Sequence, residues 1–342
     1  MSSVRVERLY KIFGPQPAEK VRLLKEGADP ADLVAGGATA AVVDATFTVS
    51  EGETFVVMGL SGSGKSTLIR MLNGLLTPTD GEVFIDDVDV TAMSARELRA
   101  MRQQKMSMVF QHFALFPHRT VLDNAGYGLH VRGTDEGEIS ERANEALRLV
   151  GLEGWEQRYP QQLSGGMRQR VGLARALAAG TDVLLMDEAF SALDPLIKRE
   201  MQDQLLELNA QLGKTIIFIT HDLNEAMRLG DRIAVMRAGR IVQIGTSEEI
   251  LRAPADDYVA EFVQDVDRSR VLTAAAIADP HAEPADGVAP VPGSTPLKDL
   301  FALMSDRAEP RPVIDEQKRV LGVITPAALF AALSHREETS DA

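Results

Sequence analysis

The segment GLSGSGKS, from Gly59 to Ser66, combines three glycines with a lysine and a hydroxyl group. It follows the apolar strand-like stretch FVVM and precedes the helix-like stretch TLIRML. Glycines let a loop wrap so that its backbone N–H groups point at phosphate oxygens, and Lys65 adds a compact positive charge. The Ser66 hydroxyl is a suitable ligand for Mg²⁺. The segment therefore predicts a loop that binds the phosphates of a nucleotide.

Polar side chains follow three further strand-like runs. Asp187 and Glu188 end the run VLLMDE, His221 ends TIIFITH, and Gln111 follows MSMVF. The carboxyl ends of parallel strands meet at one edge of a sheet, so these groups are expected beside the phosphate loop. There Asp187 would hold Mg²⁺ through water and Glu188 would orient or deprotonate an attacking water. We expect His221 to contact the γ-phosphate and Gln111 to reach Mg²⁺ or the water.

A third feature is the stretch LSGGMRQRVGLARAL, from Leu163 to Leu177. It reads as a helix opened by Ser164, Gly165 and Gly166. Glycines at a helix start expose backbone N–H groups, which suit an anion. No other phosphate-binding feature adjoins this stretch in sequence, so the anion has to come from elsewhere.

Composition limits the classes of protein that remain. The chain has 342 residues, 45% of them hydrophobic, and a formal net charge of -14. This acidic balance argues against broad attraction to nucleic acid, so no nucleic acid partner is expected. Cysteine is absent, which excludes disulfides and cysteine-based sites. No window approaches 18 consecutive apolar residues, so any membrane role is expected to come through a partner.

The order of segments predicts two parts. Strands and helices alternate as far as about Met236, and the continuous apolar runs are typical of parallel strands covered on both faces, which indicates an α/β core. Residues 271–296 are rich in Pro, Ala and Gly and read as a linker. Residues 297–342 offer a helix, a strand pair and a second helix, which is a small βαβ-like unit with an acidic end. A unit of this size is marginally stable alone.

Together these segments resemble the ATP-binding cassette (ABC) family over about residues 1–250. GLSGSGKS resembles its Walker A loop, Gln111 its Q-loop, LSGGM its signature motif, VLLMDE its Walker B, SALD its D-loop and His221 its switch histidine. The resemblance implies that Glu188, His221, Lys65 and Gln111 are catalytic, and that Ser66, Gln111 and Asp187 serve Mg²⁺. ATP would then contact the aromatic Phe13, which matches the adenine-stacking position, and the loop residues Gly59, Ser61, Gly62, Ser63, Gly64, Lys65, Ser66 and Thr67.

The same resemblance accounts for the isolated helix start. In this family two cassettes pair head to tail, so Ser164, Gly165 and Gly166, with Asp194 of the D-loop, would meet ATP held by the other subunit. One cassette per chain implies a homodimer or a paralogous partner. The implied fold is a P-loop NTPase of the ABC type, with a RecA-like core, a helical subdomain and an antiparallel β subdomain. It would span residues 1–270, with a helical insertion at 14–41.

A narrower resemblance is to the ATPase subunit of glycine betaine/proline importers, carried by MGLSGSGKSTLIRMLNGL, LSGGMRQRVGLARAL and MDEAFSALDPLI. It implies integral-membrane permease subunits, an extracytoplasmic substrate-binding protein as an indirect partner, and a peripheral location on the cytoplasmic face of the inner or plasma membrane. The region between Gln111 and Ser164 resembles the part that cups a coupling helix of the permease. RPVIDEQKRVLGVITPAALFAAL resembles a single cystathionine-β-synthase (CBS) motif. The alternatives are an importer of another small solute and a soluble ABC ATPase unconnected with transport.

Overall fold

The structure is a computed structural model that describes residues 2–111, 114–305 and 308–333. The chain divides into two compact units, residues 1–244 and residues 245–342. The predicted boundary at 270 lies further along the chain than this division. In the described residues, no helix is both long and apolar enough to cross a bilayer.

The strands are β1 (Val4–Phe13), β2 (Thr39–Val49), β3 (Thr54–Met58), β4 (Asp80–Ile85), β5 (Val88–Asp89), β6 (Met106–Val109), β7 (Val183–Asp187), β8 (Thr215–Thr220), β9 (Arg232–Arg237), β10 (Arg240–Gly245), β11 (Val291–Pro292), β12 (Arg311–Ile314) and β13 (Val320–Ile324). The helices are α1 (Pro17–Lys25), α2 (Asp32–Ala35), α3 (Lys65–Leu72), α4 (Ala95–Lys105), α5 (Val121–Arg132), α6 (Glu136–Leu149), α7 (Gly165–Ala178), α8 (Pro195–Leu212), α9 (Leu223–Leu229), α10 (Ser247–Arg252), α11 (Asp257–Phe262), α12 (Arg268–Val271), α13 (Ala274–Ile277), α14 (Leu297–Ser305) and α15 (Pro326–Leu333).

The first unit contains a six-stranded sheet in the order β10-β9-β3-β8-β7-β6. Strand β3 pairs in parallel with β8 and β9, and β7 pairs in parallel with β8 and β6. Every residue of β3, β7 and β8 is buried, which explains why their sequences are continuous rather than alternating apolar runs. The carboxyl ends of β3, β6, β7 and β8 therefore lie along one edge, as the sequence predicts.

A second, four-stranded sheet in the order β2-β1-β4-β5 covers this core. Its pairings are antiparallel. Buried side chains of both sheets and of α3 form one hydrophobic cluster. Within it the rings of Phe47 and Phe55 stack with centroids 5.0 Å apart. The fold is therefore the ABC-type P-loop fold that the sequence predicts, with α5, α6 and α7 packed on one another as the helical subdomain.

The segment between β1 and β2 is helical and has a small core of its own. Val21, Leu24 and Leu33 are buried against side chains of β1 and β2, including Tyr10. Lys25 also forms an ion pair with Asp80 of β4. The segment is therefore anchored on the strands it connects, as the apolar residues of α1 and α2 require.

The second unit has a three-stranded sheet in the order β11-β12-β13. Strands β11 and β12 are parallel and are joined through α14, whereas β12 and β13 are antiparallel. This arrangement contains the βαβ connection suggested by the sequence. Residues 334–342, which hold most of the predicted acidic end, lie outside the described residues.

Where the composition predicts a linker over residues 271–296, the structure has α13 and β11. Ala275 N donates to Gly293 O at 2.9 Å, and Asp279 N donates to Val323 O at 2.9 Å. A Cβ added to Gly322 would lie 2.9 Å from the Asp279 backbone, so the segment packs directly on β13. The absence of a side chain at Gly322 of β13 lets the backbone of this segment approach closely.

Candidate nucleotide site

The phosphate loop between β3 and α3 depends on two glycines. Gly59 has φ of 153° and Gly64 has φ of 103°. A Cβ on Gly59 would lie 2.1 Å from Met236 O, and a Cβ on Gly64 would lie 2.0 Å from Ala41 O. Both positions thus exclude larger residues by conformation and by contact. The loop is a backbone cradle enclosed by β2 and β9.

Lys65 is the first residue of α3 and is 4% exposed. Its Nζ donates to Gly59 O at 2.8 Å and to Leu60 O at 3.0 Å. Burial lowers the pKa of Lys65, and the carboxylates of Glu188 and Asp187 oppose this shift. Next to it, the buried Ser63 hydroxyl has no hydrogen-bond partner among the described residues. A backbone cradle, a buried cation and an unpaired hydroxyl are what a polyphosphate chain would engage.

The predicted Mg²⁺ ligands also come together. Ser66 Oγ donates to Asp187 Oδ1 at 2.9 Å. Burial raises the pKa of Asp187, against the Ser66 hydrogen bond and the Arg70 charge. In the described parts of the chain, no group of three or more His, Asp or Glu residues could hold a metal ion unaided. A hydroxyl and one carboxylate fit Mg²⁺, which is usually held by few protein ligands together with substrate phosphates.

Glu188, Gln111 and His221 meet at the same edge. Gln111 Nε2 lies 3.2 Å from Glu188 Oε2, and His221 Nδ1 lies 3.2 Å from the same oxygen. Glu188 has φ of 47°, in the left-handed region that non-glycine residues rarely adopt. Its backbone N–H donates to Ile219 O at 3.0 Å, which holds this conformation between β7 and β8. Backbone strain of this kind is concentrated at functional sites.

Ser191 supplies a contact that sequence reasoning missed, because it treated this residue only as part of the D-loop. Its Oγ donates to Glu188 O at 2.9 Å and accepts from Gln111 Nε2 at 3.3 Å. The sequence signal for this contact is a serine three residues after Glu188 in a turn, because serine hydroxyls often hydrogen-bond to nearby backbone carbonyls. Ser191 therefore braces both Glu188 and Gln111.

The signature residues and Asp194 occupy two helix starts. Ser164 is the N-cap of α7 and accepts from Met167 N at 3.2 Å, and Asp194 is the N-cap of α8 and accepts from Ile197 N at 3.1 Å. A Cβ on Gly166 would lie 2.5 Å from the Ile197 side chain, whereas one on Gly165 would meet nothing within 4 Å. The two helix starts are thus in contact, and Ser164 and Asp194 are exposed.

Phe13 ends β1 and is 44% exposed. Lys11 Nζ lies 5.3 Å from the centre of its ring. Phe13 pairs with Thr39 of β2, and β2 continues to Ala41, whose carbonyl abuts Gly64 of the phosphate loop. One strand therefore joins the exposed ring to the phosphate loop.

Comparisons with known proteins agree with this geometry. A family model described as "ABC transporter" matches residues 42–191. The chain is 47% identical to the glycine betaine transport ATP-binding protein OpuAA of Bacillus subtilis (strain 168), covering 98% of this chain and 93% of that protein. It is 50% identical to the glycine betaine/proline betaine transport system ATP-binding protein ProV of Salmonella typhimurium, covering 98% and 83%. It is also 47% identical to the trimethylamine N-oxide transport system ATP-binding protein TmoW of Ruegeria pomeroyi, covering 80% and 81%.

A solved structure matches the fold as well. The ATP-binding cassette MJ0796, in a dimeric post-hydrolysis state bound to ADP and Pi, superposes with a TM-score of 0.60 at 32% identity. The match covers 71% of this chain and 98% of that chain. The parallel sheet with its glycine loop defines a P-loop nucleotide-binding protein. The chain belongs to the ATP-binding proteins of ABC transporters, which are ATPases that bind ATP.

Proposed function

We propose that this chain is the ATP-hydrolysing subunit of an ABC importer for osmoprotectants of the glycine betaine/proline type. The main support for ATP hydrolysis is that Glu188, Gln111 and His221 contact one another beside the phosphate loop. The substrate class rests on relatives named for glycine betaine transport at 47% to 55% identity. A trimethylamine N-oxide transport relative at 47% identity keeps another small solute as the second candidate.

In the proposed mechanism the phosphate loop and the Phe13 ring bind ATP. The backbone amides of Gly59 to Ser66 surround the phosphates, with Ser61, Gly62, Ser63, Gly64 and Thr67 contributing. Lys65 would turn from the two loop carbonyls toward the β- and γ-phosphates. Ser66, Asp187 and Gln111 would hold Mg²⁺, which supplies charge neutralisation to the phosphates.

Glu188 is proposed as the group that orients and deprotonates the attacking water. Its carboxylate already accepts from Gln111 and contacts His221, so all three can share one water-sized site at the edge of the sheet. His221, at the end of β8, would donate to the γ-phosphate while charge develops there. Ser191 would hold Glu188 and Gln111 in position relative to each other.

We propose that two chains pair head to tail. Ser164, Gly165 and Gly166 lie at the start of α7, a position that suits the γ-phosphate of ATP bound by the other subunit, and Asp194 lies beside them at the start of α8. A homodimer is proposed because one chain carries one cassette. The solved relative MJ0796 is described as dimeric with ADP and Pi, which supports a dimer here as well.

The proposed membrane partner is an integral permease, reached through a groove in the first unit. A cavity of about 410 Å³ lies between α4, α5 and α7, and its lining combines arginines such as Arg102 and Arg132 with the ring of Tyr127. Such a groove suits an amphipathic cytoplasmic segment with acidic groups. The chain would then lie peripherally on the cytoplasmic face of the inner or plasma membrane, and a substrate-binding protein would deliver solute on the other side.

For the second unit we propose a single CBS-like unit. The support is the order of β11, α14, β12, β13 and α15, which covers the segment that carries the resemblance. The proposed cassette keeps residues 1–270, and the connecting segment 271–296 packs within the second unit.

Two measurements test the proposal. Light scattering on the Glu188→Gln variant should show a dimer with Mg²⁺ and ATP but not with ADP, and Ser164→Arg should abolish it. Solute uptake into vesicles that hold the chain with its permease should favour glycine betaine over trimethylamine N-oxide. A reversed preference would support the second candidate, and ATP hydrolysis without any permease-dependent uptake would indicate a soluble ATPase.

A further inference from the structure

A cluster of charged side chains joins α8 to α9 beside His221. Lys198 Nζ lies 2.8 Å from Asp222 Oδ2 and 3.5 Å from Glu225 Oε1. Gln202 Nε2 donates to Glu225 Oε1 at 3.2 Å, and Thr220 Oγ1 donates to Glu225 Oε2. One lysine of α8 therefore bridges two carboxylates of the neighbouring turn and helix.

The burial of Glu225 makes the geometry of this cluster specific. Glu225 is 2% exposed, whereas the side chains of Lys198 and Asp222 are 17% and 36% exposed. A buried charge is tolerated only with well-placed partners, and removing one partner leaves the others uncompensated. The relative position of α8 and α9 is thus fixed by the Lys198 ammonium more firmly than a surface ion pair would fix it.

The cluster holds the chain on both sides of His221. Asp222 N donates to Thr220 Oγ1 at 2.9 Å, and Glu225 N donates to Asp222 Oδ1 at 3.1 Å. Lys198 lies one helical turn after Asp194, the N-cap of α8. The same side chain therefore connects the exposed helix start at Asp194 with the turn that carries His221.

We propose that Lys198 is a positioning residue for His221. Its ion pairs with Asp222 and Glu225 fix the turn that carries His221 relative to α8. The inference rests on the proposed function, because it assumes that His221 acts on ATP. Lys198 itself touches neither nucleotide nor water in this proposal.

The test is Lys198→Met in the full-length chain, with Lys105→Met as the matched control. Lys105 also bridges two carboxylates, with Nζ 3.2 Å from Asp182 and 3.5 Å from Asp86, but it lies away from His221. Lys198→Met should lower the ATPase kcat by about 10- to 100-fold, as expected for a misplaced catalytic group. The Kd for ATP and the ATP-dependent dimer of the Glu188→Gln background should stay unchanged. Lys105→Met should keep kcat, and Lys198→Arg should restore much of it.

Several outcomes would overturn the inference. It fails if Lys198→Met keeps the wild-type kcat, or if ATP affinity falls in step with kcat, which would mark a general structural role. If Lys198→Met does not fold, Asp222→Asn removes one charge of the bridge and carries the same test, and an unchanged kcat there also overturns the inference. A wild-type chain without ATPase activity would instead refute the proposed function.

Discussion

Glycine at position 64 of the phosphate loop is required both by a left-handed backbone conformation and by close contact with Ala41, and alanine substitutions separate these two requirements. Gly62 and Gly64 both have positive φ, 80° and 103°. A Cβ on Gly62 would meet nothing within 4 Å, whereas one on Gly64 would lie 2.0 Å from Ala41 O. Gly62→Ala is therefore a control that carries the conformational cost without the contact.

The expected magnitudes follow from these two terms. A left-handed conformation costs a non-glycine residue about 1–2 kcal/mol, which applies to both variants. The contact with Ala41 requires the loop or β2 to move by more than an ångström, and overpacking of this kind costs about 1–3 kcal/mol. We expect a loss of about 1–2 kcal/mol for Gly62→Ala and about 2–5 kcal/mol for Gly64→Ala.

Urea unfolding of the nucleotide-free chain measures the difference. The chain has one tryptophan, Trp155, and it lies in the first unit, so its fluorescence reports on the unit that contains the loop. The midpoint should fall further for Gly64→Ala, with an unchanged slope. Equal losses for the two variants would refute the claim that β2 closes on the loop at Ala41.

Three further predictions concern other parts of the first unit. Burial raises the pKa of Asp187 above its unfolded value of about 4, so the ionised carboxylate destabilises the folded chain at higher pH. Asp187→Asn should therefore raise the Tm at pH 7 in EDTA, and this gain should vanish as the pH falls below about 4. Phe13→Ala should weaken ATP binding about 3- to 10-fold by calorimetry through loss of stacking, while inorganic tripolyphosphate binds as before; equal losses for both ligands would contradict adenine stacking. Leu24→Ala, in the core of the helical insertion, should destabilise the first unit by about 2–4 kcal/mol in urea, whereas an alanine at exposed Leu75 should change little.

The core of the site was predictable because its signals are local. Continuous apolar runs predicted parallel strands with polar residues after them, and parallel strands end at one edge of a sheet, so the convergence of Gln111, Asp187, Glu188 and His221 was predictable. The glycine spacing predicted the loop in the same way. These features need only that the strands are parallel, which the continuous apolar runs indicate.

Other features depend on contacts between distant segments. The stretch FTVSEGETFVVM reads as one strand region with a turn, yet β2 and β3 belong to different sheets, and no local pattern states which sheet a strand joins. Lys198 pairs with the buried Glu225, 27 residues further along the chain. The pair Asp222 and Glu225 did match a capping pattern, with an acid three residues after an N-cap, but that pattern does not reveal a lysine partner.

The hydrogen bonds of the single chain bear on how ATP binding and hydrolysis are linked. Lys65 donates to two carbonyls of its own loop, and Glu188 is engaged by Gln111 and His221. In the proposed mechanism the phosphates replace the Lys65 hydrogen bonds to these carbonyls and the attacking water replaces a neighbour of Glu188, so each step exchanges existing bonds for new ones. Net affinity is then a difference between two hydrogen-bonded states. Gln111 is held by Ser191, and the proposal has His221 held by the Lys198 cluster, so in this mechanism the positions of those elements control the reaction at the sheet edge.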